Sequence, residues 1–205
     1  MNFLRGFSIW KLHTFQDYLS FFTVFTLGIL FFYFITKYLK KQRTKEYALS
    51  KISKKLRKLS KKLGVFSTKT DIIKNNKNTD LDIIFVDGRN IILIKVFWWG
   101  LHIKGESSGE HWEIADNKNK ELVRNPLFDL NSKSKYISDI LNKNNKEYTI
   151  TPLVIFADNF AIPKLKLDKD SCSIVYKDLK KWYKKNIKPN KEKINSNDIL
   201  NLIVQ

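Results

Sequence analysis

One cysteine, Cys172, stands in a chain of 205 residues, so an internal disulfide is excluded. It sits in the apolar run SCSIVY and is expected to act as a small buried hydrophobe. The three histidines, His13, His102 and His111, are scattered, and no Cys/His cluster has the spacing of a structural zinc site. No internal repeat is visible. Acidic residues are the minority, with 20 Asp and Glu against 38 Lys and Arg and a formal charge of +18. That imbalance suits nucleic acid or an anionic membrane as partner. Lysine far outnumbers arginine, and Asn, Ile and Phe are abundant too. All have A/T-rich codons, so base composition accounts for part of the lysine, but not for its clustering beside one apolar run.

That run is Tyr18–Thr36, YLSFFTVFTLGILFFYFIT, uncharged and bracketed by Asp17 and Lys37. At 1.5 Å per residue it reaches roughly 28 Å, close to the ~30 Å hydrocarbon core of a bilayer. Tyr18, Tyr33 and Tyr38 lie near its ends, where aromatic rings favour the interface. A cleaved signal peptide would need a shorter run and a small-residue cleavage site, whereas this one ends in bulky Phe, Tyr and Ile. The sequence therefore predicts one transmembrane helix over 18–36. Lys37, Lys40, Lys41, Arg43 and Lys45 follow it, then seven more basic residues before Leu63, against a single Glu46. The positive-inside rule then predicts a single-pass cell-membrane protein with its domain in the cytoplasm and residues 1–17 outside. Phe3, Leu4, Phe7, Ile9, Trp10 and Phe15 are expected to hold that tail in the outer interface.

Residues 37–63 read as a basic amphipathic helix leading into the domain. Within 40–63, Leu49, Ile52, Leu56, Leu59 and Leu63 make one apolar stripe and Gly64 a stop. The opposite lysine-rich face suits anionic headgroups. A domain is expected over 64–185 and an Asn/Lys-rich, loosely ordered tail over 186–205, whose last apolar patch, Ile199–Val204, folds back or meets a protein partner. Strands are expected over 65–73, 101–104, 111–114, 150–156 and 173–176. A helix from Asn125-Pro126 to Leu141 and a final basic helix after Asp178 flank them. The class is α/β, with α+β as the alternative: a mixed central sheet flanked by helices.

The most informative stretch is TDLDIIFVDGRNIILIKVFWWG, residues 79–100. Ile83–Val86 and Ile91–Val96 are β-branched runs around Asp87-Gly88, a hairpin signal. Asp80 and Asp82 open the first strand two residues apart and therefore on one face. A carboxylate pair at a strand mouth is a natural start for metal-assisted phosphodiester chemistry. The hairpin resembles the core of the NERD (nuclease-related) domain of the PD-(D/E)xK superfamily. Asp82, Trp98, Gly100, Trp112 and Asn125-Pro126 match that pattern in order, and Glu46 matches an upstream helical Glu. The resemblance spans roughly 40–185 and implies a restriction-endonuclease-like fold.

Counting back from Gly100, however, the family Glu falls on Ile94 and the family Lys on Val96. Neither side chain can complete a metal site or steady a phosphorane. Lys95 lies between them but alternates to the other face. A one-residue bulge would turn it inward and still leave Leu93 where the carboxylate belongs. Glu106, Glu110 and Glu113 are the downstream carboxylates. The resemblance therefore implies a catalytically degenerate nuclease-like domain with Asp82 and Glu46 as remnants. No cofactor is expected. Mg2+ enters only if an active nuclease uses displaced ligands, with Asp82 and Asp80 as its ligands. Besides the membrane, nucleic acid, DNA or RNA, or a protein partner is expected. Lys180, Lys181, Lys184 and Lys185 are the candidate phosphate contacts, and Trp98 and Trp99 the candidate stacking residues. A membrane scaffold without a nucleic-acid role is the remaining reading.

Overall fold

The structure is a computed structural model. It describes residues 14–61, 64–67, 81–116, 119–142, 148–158, 160–168, 171–187 and 196–204. It divides into two units, one ending at Gln42 and one beginning at Arg43.

The first unit is helix α1, Phe15–Gln42. Thr14 and Asp17 cap it reciprocally: the Thr14 N–H donates to Asp17 Oδ2 at 2.9 Å, and the Asp17 N–H donates to Thr14 Oγ1 at 3.3 Å. None of its residues is buried, and its best 18-residue window has a mean hydropathy of 2.0. Length and composition thus suffice to cross a membrane. Two of its hydroxyls are satisfied within the helix, Thr23 donating to Leu19 O at 2.8 Å and Thr36 to Tyr33 O at 2.9 Å. Such internal pairing is what a hydrocarbon surrounding requires.

The basic segment is not one helix from residue 40. Helix α2 is Lys45–Leu59, and Thr44 caps it by accepting the Tyr47 N–H at 3.3 Å. Lys40 and Lys41 therefore belong to α1. The C-cap is Ser60, followed by Lys61 at φ 53°, so the helix stops before Gly64. Leu63 lies outside the described residues. Gly64 is needed for a different reason: a Cβ there would meet the Phe85 ring.

A five-stranded mixed sheet follows. Its strands are β1 (Val65–Ser67), β2 (Ile83–Asp87), β3 (Asn90–Phe97), β7 (Thr149–Phe156) and β9 (Ser173–Val175), hydrogen-bonded in that order. The β1–β2 and β2–β3 pairs are antiparallel; β3–β7 and β7–β9 are parallel. Asp87 pairs with Asn90, so the hairpin turn is Gly88-Arg89 rather than Asp87-Gly88, with Gly88 at φ 61°. A positive φ at the first central position suits the twist of the two strands. A second, four-stranded sheet runs β6 (Lys120–Arg124), β5 (His111–Ala115), β4 (His102–Gly105), β8 (Lys164–Leu167). Strands β6 and β8 are additions to those expected from the sequence.

The five-stranded sheet is covered on both faces. Ile83, Phe85, Ile92, Ile94, Val96 and Leu153 pack on Ala48, Ile52 and Leu56 of α2 and on Leu179 and Tyr183 of α4 (Leu179–Asn186). Ile84, Val86, Ile91, Leu93 and Val154 pack on the other side. There they meet α3 (Pro126–Asn142), α5 (Ser196–Val204) and the second sheet. The Ile199 patch thus folds back through α5, whose Ile199 and Ile203 are buried. Residues 188–195 lie outside the described residues, as do 68–73 of the expected first strand. Cys172 corrects one expectation: it is exposed, at φ 44°, where the chain turns into β9.

Candidate functional site

Asp82 lies just before β2 and is 5% exposed. Its N–H continues the β2–β3 ladder to Ile94 O at 3.0 Å. Its Oδ2 accepts the Val96 N–H at 2.7 Å, and its Oδ1 meets Lys45 Nζ at 2.5 Å. Lys45 opens α2, and its ammonium also lies 5.6 Å from the Trp98 ring centroid. One lysine therefore ties α2 to the mouth of β2 and the end of β3. Nothing in the sequence sets Lys45 apart from the lysines around it.

Ile94 and Val96 are fully buried in the α2 and α4 core. Lys95 has the opposite parity, 5.9 Å from the Phe97 ring. Glu46 is exposed and lines a groove of about 470 Å³ with Leu49, Ser53, Arg57 and Phe66. The helix thus brings Lys45, not Glu46, to Asp82. Glu113 pairs with Lys120 at 2.9 Å on the second sheet. Asp80 lies outside the described residues. Among the described residues no group of three or more His, Cys, Asp or Glu converges. A divalent ion at Asp82 would have to displace an ammonium from Oδ1, and Ile94 and Val96 offer no further ligand. The described residues do not fit such an ion.

The two helices expected to be basic lie on the same sheet face and touch. Between them is Tyr176, in a single 3-10 turn, Tyr176–Asp178. Lys51 and Lys55 lie 4.4 and 4.1 Å from its ring centroid, and Lys55 donates to its carbonyl at 2.8 Å. Burial lowers the pKa of both lysines. Repulsion from Lys51 and Lys180 lowers that of Lys55 further, against an opposing pull from Asp178. Like charges are thus brought together across two helices. Lys180, Lys181, Lys184 and Lys185 are all exposed on α4. Trp98 and Trp99 separate instead: Trp98 packs on the α2 and α4 core, Trp99 on the opposite one, both half-buried.

Trp112 and Asn125 hold a loop. Trp112 Nε1 donates to Glu106 O at 2.9 Å. The fully buried Asn125 reaches Glu106 O, Ser107 O and Gly109 O through Nδ2 at 3.2, 2.9 and 2.7 Å. Its Oδ1 accepts the Leu127 N–H at 3.0 Å, capping α3. From across the loop Ser107 donates its N–H at 2.9 Å and its hydroxyl at 2.5 Å to Asp168 Oδ2, which holds that carboxyl below its ordinary pKa.

A mixed five-stranded sheet between two helical layers, with a carboxylate at the mouth of its central hairpin, defines an α/β protein of nuclease-like fold. The family model for the nuclease-related domain, NERD, matches residues 39–157, more than half of the chain, and the chain belongs to that family. No curated protein and no solved structure matches it.

Proposed function

We propose that this is a membrane-anchored nuclease-related protein that does not hydrolyse phosphodiesters and binds nucleic acid on its α2 and α4 face. The observation that carries the reading is the closure of Asp82, both of whose oxygens are engaged by Lys45 and the Val96 amide. The hydrophobic pair Ile94 and Val96 supplies neither a second carboxylate nor a water-orienting ammonium. What the fold retains is positive charge, gathered from two helices onto one face beside Tyr176. Lysines at that density bind phosphates without reading bases. The charge asymmetry around the apolar span favours the cytoplasmic side for the domain, where anionic headgroups compete for the same face.

The test uses the full chain in detergent micelles with labelled duplex DNA. Binding should weaken steeply with salt and show little sequence preference. Charge reversal of Lys180, Lys181, Lys184 and Lys185 should weaken it equally for all sequences, and the salt slope should fall by about one for each phosphate that the variant no longer neutralises. No binding at low salt would refute the nucleic-acid role. Supercoiled plasmid should stay intact in Mg2+ or Mn2+, and cleavage that disappears in Asp82→Ala would refute the loss of hydrolysis.

A further inference from the structure

We propose that Phe160 and Ile162, together with Arg43, form a foot by which the domain rests on an anionic phospholipid surface. The inference rests on reading α1 as a membrane span. Phe160 and Ile162 are 47% and 62% exposed although most large apolar side chains of the domain are buried. Asp158 Oδ1 accepts the N–H groups of Phe160 and Ala161 at 2.7 and 3.2 Å, Pro163 is buried, and the Lys164 N–H donates to Leu101 O at 2.7 Å. The Arg43 guanidinium lies over the Phe160 ring, 4.7 Å from its centroid.

The position of Arg43 in the chain supplies the occupant. It follows Gln42, the last residue of α1, and lies seven positions beyond Thr36, where the uncharged run ends. Seven residues at the helical rise cover about 10 Å, and each headgroup layer is about 5–8 Å deep. The Arg43 backbone is therefore tethered no more than a few ångström beyond the headgroup layer, a gap its long side chain spans, and a ring stacked on its guanidinium is tethered with it. An aromatic ring with a neighbouring cation suits this zone, the ring entering the interface and the guanidinium bonding lipid phosphates. Lys40 and Lys41, in the last turn of α1, add charge there. Leu122 is 68% exposed but stands on β6 without such a tie, as scattered surface residues do.

The full chain carrying Cys172→Ala is given one new cysteine at a time, Phe160→Cys, Ile162→Cys or Leu122→Cys. Each is labelled with an environment-sensitive fluorophore and reconstituted into phosphatidylglycerol-containing vesicles with or without brominated acyl chains. Ile162→Cys leaves the Arg43–Phe160 pair intact, so one position tests the surface without disturbing it. Labels at 160 and 162 should shift to the blue and be quenched by bromine, while the label at 122 does neither. A chain that floats with the vesicles but whose labels at 160 and 162 behave like that at 122 overturns the foot and leaves the span. A chain that does not float overturns both.

Discussion

Lys45 Nζ lies 2.5 Å from Asp82 Oδ1, on a carboxylate whose other oxygen is already taken by a backbone amide. The pair is lopsided, Asp82 being 5% and Lys45 34% exposed, so the carboxylate bears most of the desolvation. Replacing the lysine strands that charge. Lys45→Met should destabilise the domain by about 2 kcal/mol, less than for a fully buried pair because solvent reaches the lysine. In a domain of this size that lowers the thermal midpoint by roughly 4–8 °C, readable by circular dichroism. Adding Asp82→Leu should restore part of the loss. An unchanged midpoint in Lys45→Met would show that the pair does not hold the hairpin.

A second carboxylate, Asp87, ends β2 and accepts a hydrogen bond from the buried Tyr183 hydroxyl of α4. Burial raises the Asp87 pKa above its ordinary 3.8, and the Tyr183 bond pulls it part of the way back. Tyr183 itself is pushed up by burial and by Asp87, and stays un-ionised. The folded state thus holds a proton that the unfolded state has released. The Asp87 contribution to stability is complete below pH 3.8 and is lost as pH rises through the folded pKa. Asp87→Asn should remove this decline from the pH profile of the thermal midpoint. Tyr183→Phe should extend it to higher pH and cost about 1–3 kcal/mol at neutrality. A profile identical in the wild-type chain and Asp87→Asn would contradict the assignment.

Asn125 separates two roles that one substitution would merge. Asn125→Ala removes both the cap of α3 and the donor to three loop carbonyls, and should cost about 2–4 kcal/mol. Asn125→Asp keeps a capping oxygen but turns an acceptor toward Glu106, Ser107 and Gly109. If the loop contacts dominate, the Asp variant should be at least as unstable as the Ala variant. Hydrogen exchange should quicken at Gly109, whose N–H is bonded to Glu106 O within the loop. A stable Asp variant would assign Asn125 to capping alone.

The hairpin, β7, α3 and α4 are legible because each carries its signal within a few residues: apolar runs, Asn-Pro at a helix start, and Leu179 and Tyr183 four apart among lysines. Strands β6 and β8, KELVR and KLKL, are not, because they are short, charged and largely exposed. Their pairing is fixed by β5 and β4, a tertiary fact. The break between α1 and α2 is hidden because the lysine-rich pattern runs across it. Thr44 before Lys45-Glu46 is the available sign, a capping residue with an acidic residue in the first turn. Within the site, Asp82 is recognisable from its place in the hairpin. Lys45 is not, since pairing across 37 residues leaves no local trace in a chain with so many lysines.

The packing around Asp82 works as an evolutionary ratchet. Ile94 and Val96 have no solvent exposure, and Lys45 already neutralises the neighbouring acid. Ile94→Glu alone would put a second anion into a sealed apolar layer, and Val96→Lys alone a second cation. Either step on its own costs several kcal/mol, a large share of a domain's total stability. Placing a carboxylate and an ammonium beside Asp82 in this packing takes simultaneous change at three positions on two elements. Selection acting one substitution at a time should instead elaborate the exposed lysines of α2 and α4, where change is nearly free of structural penalty.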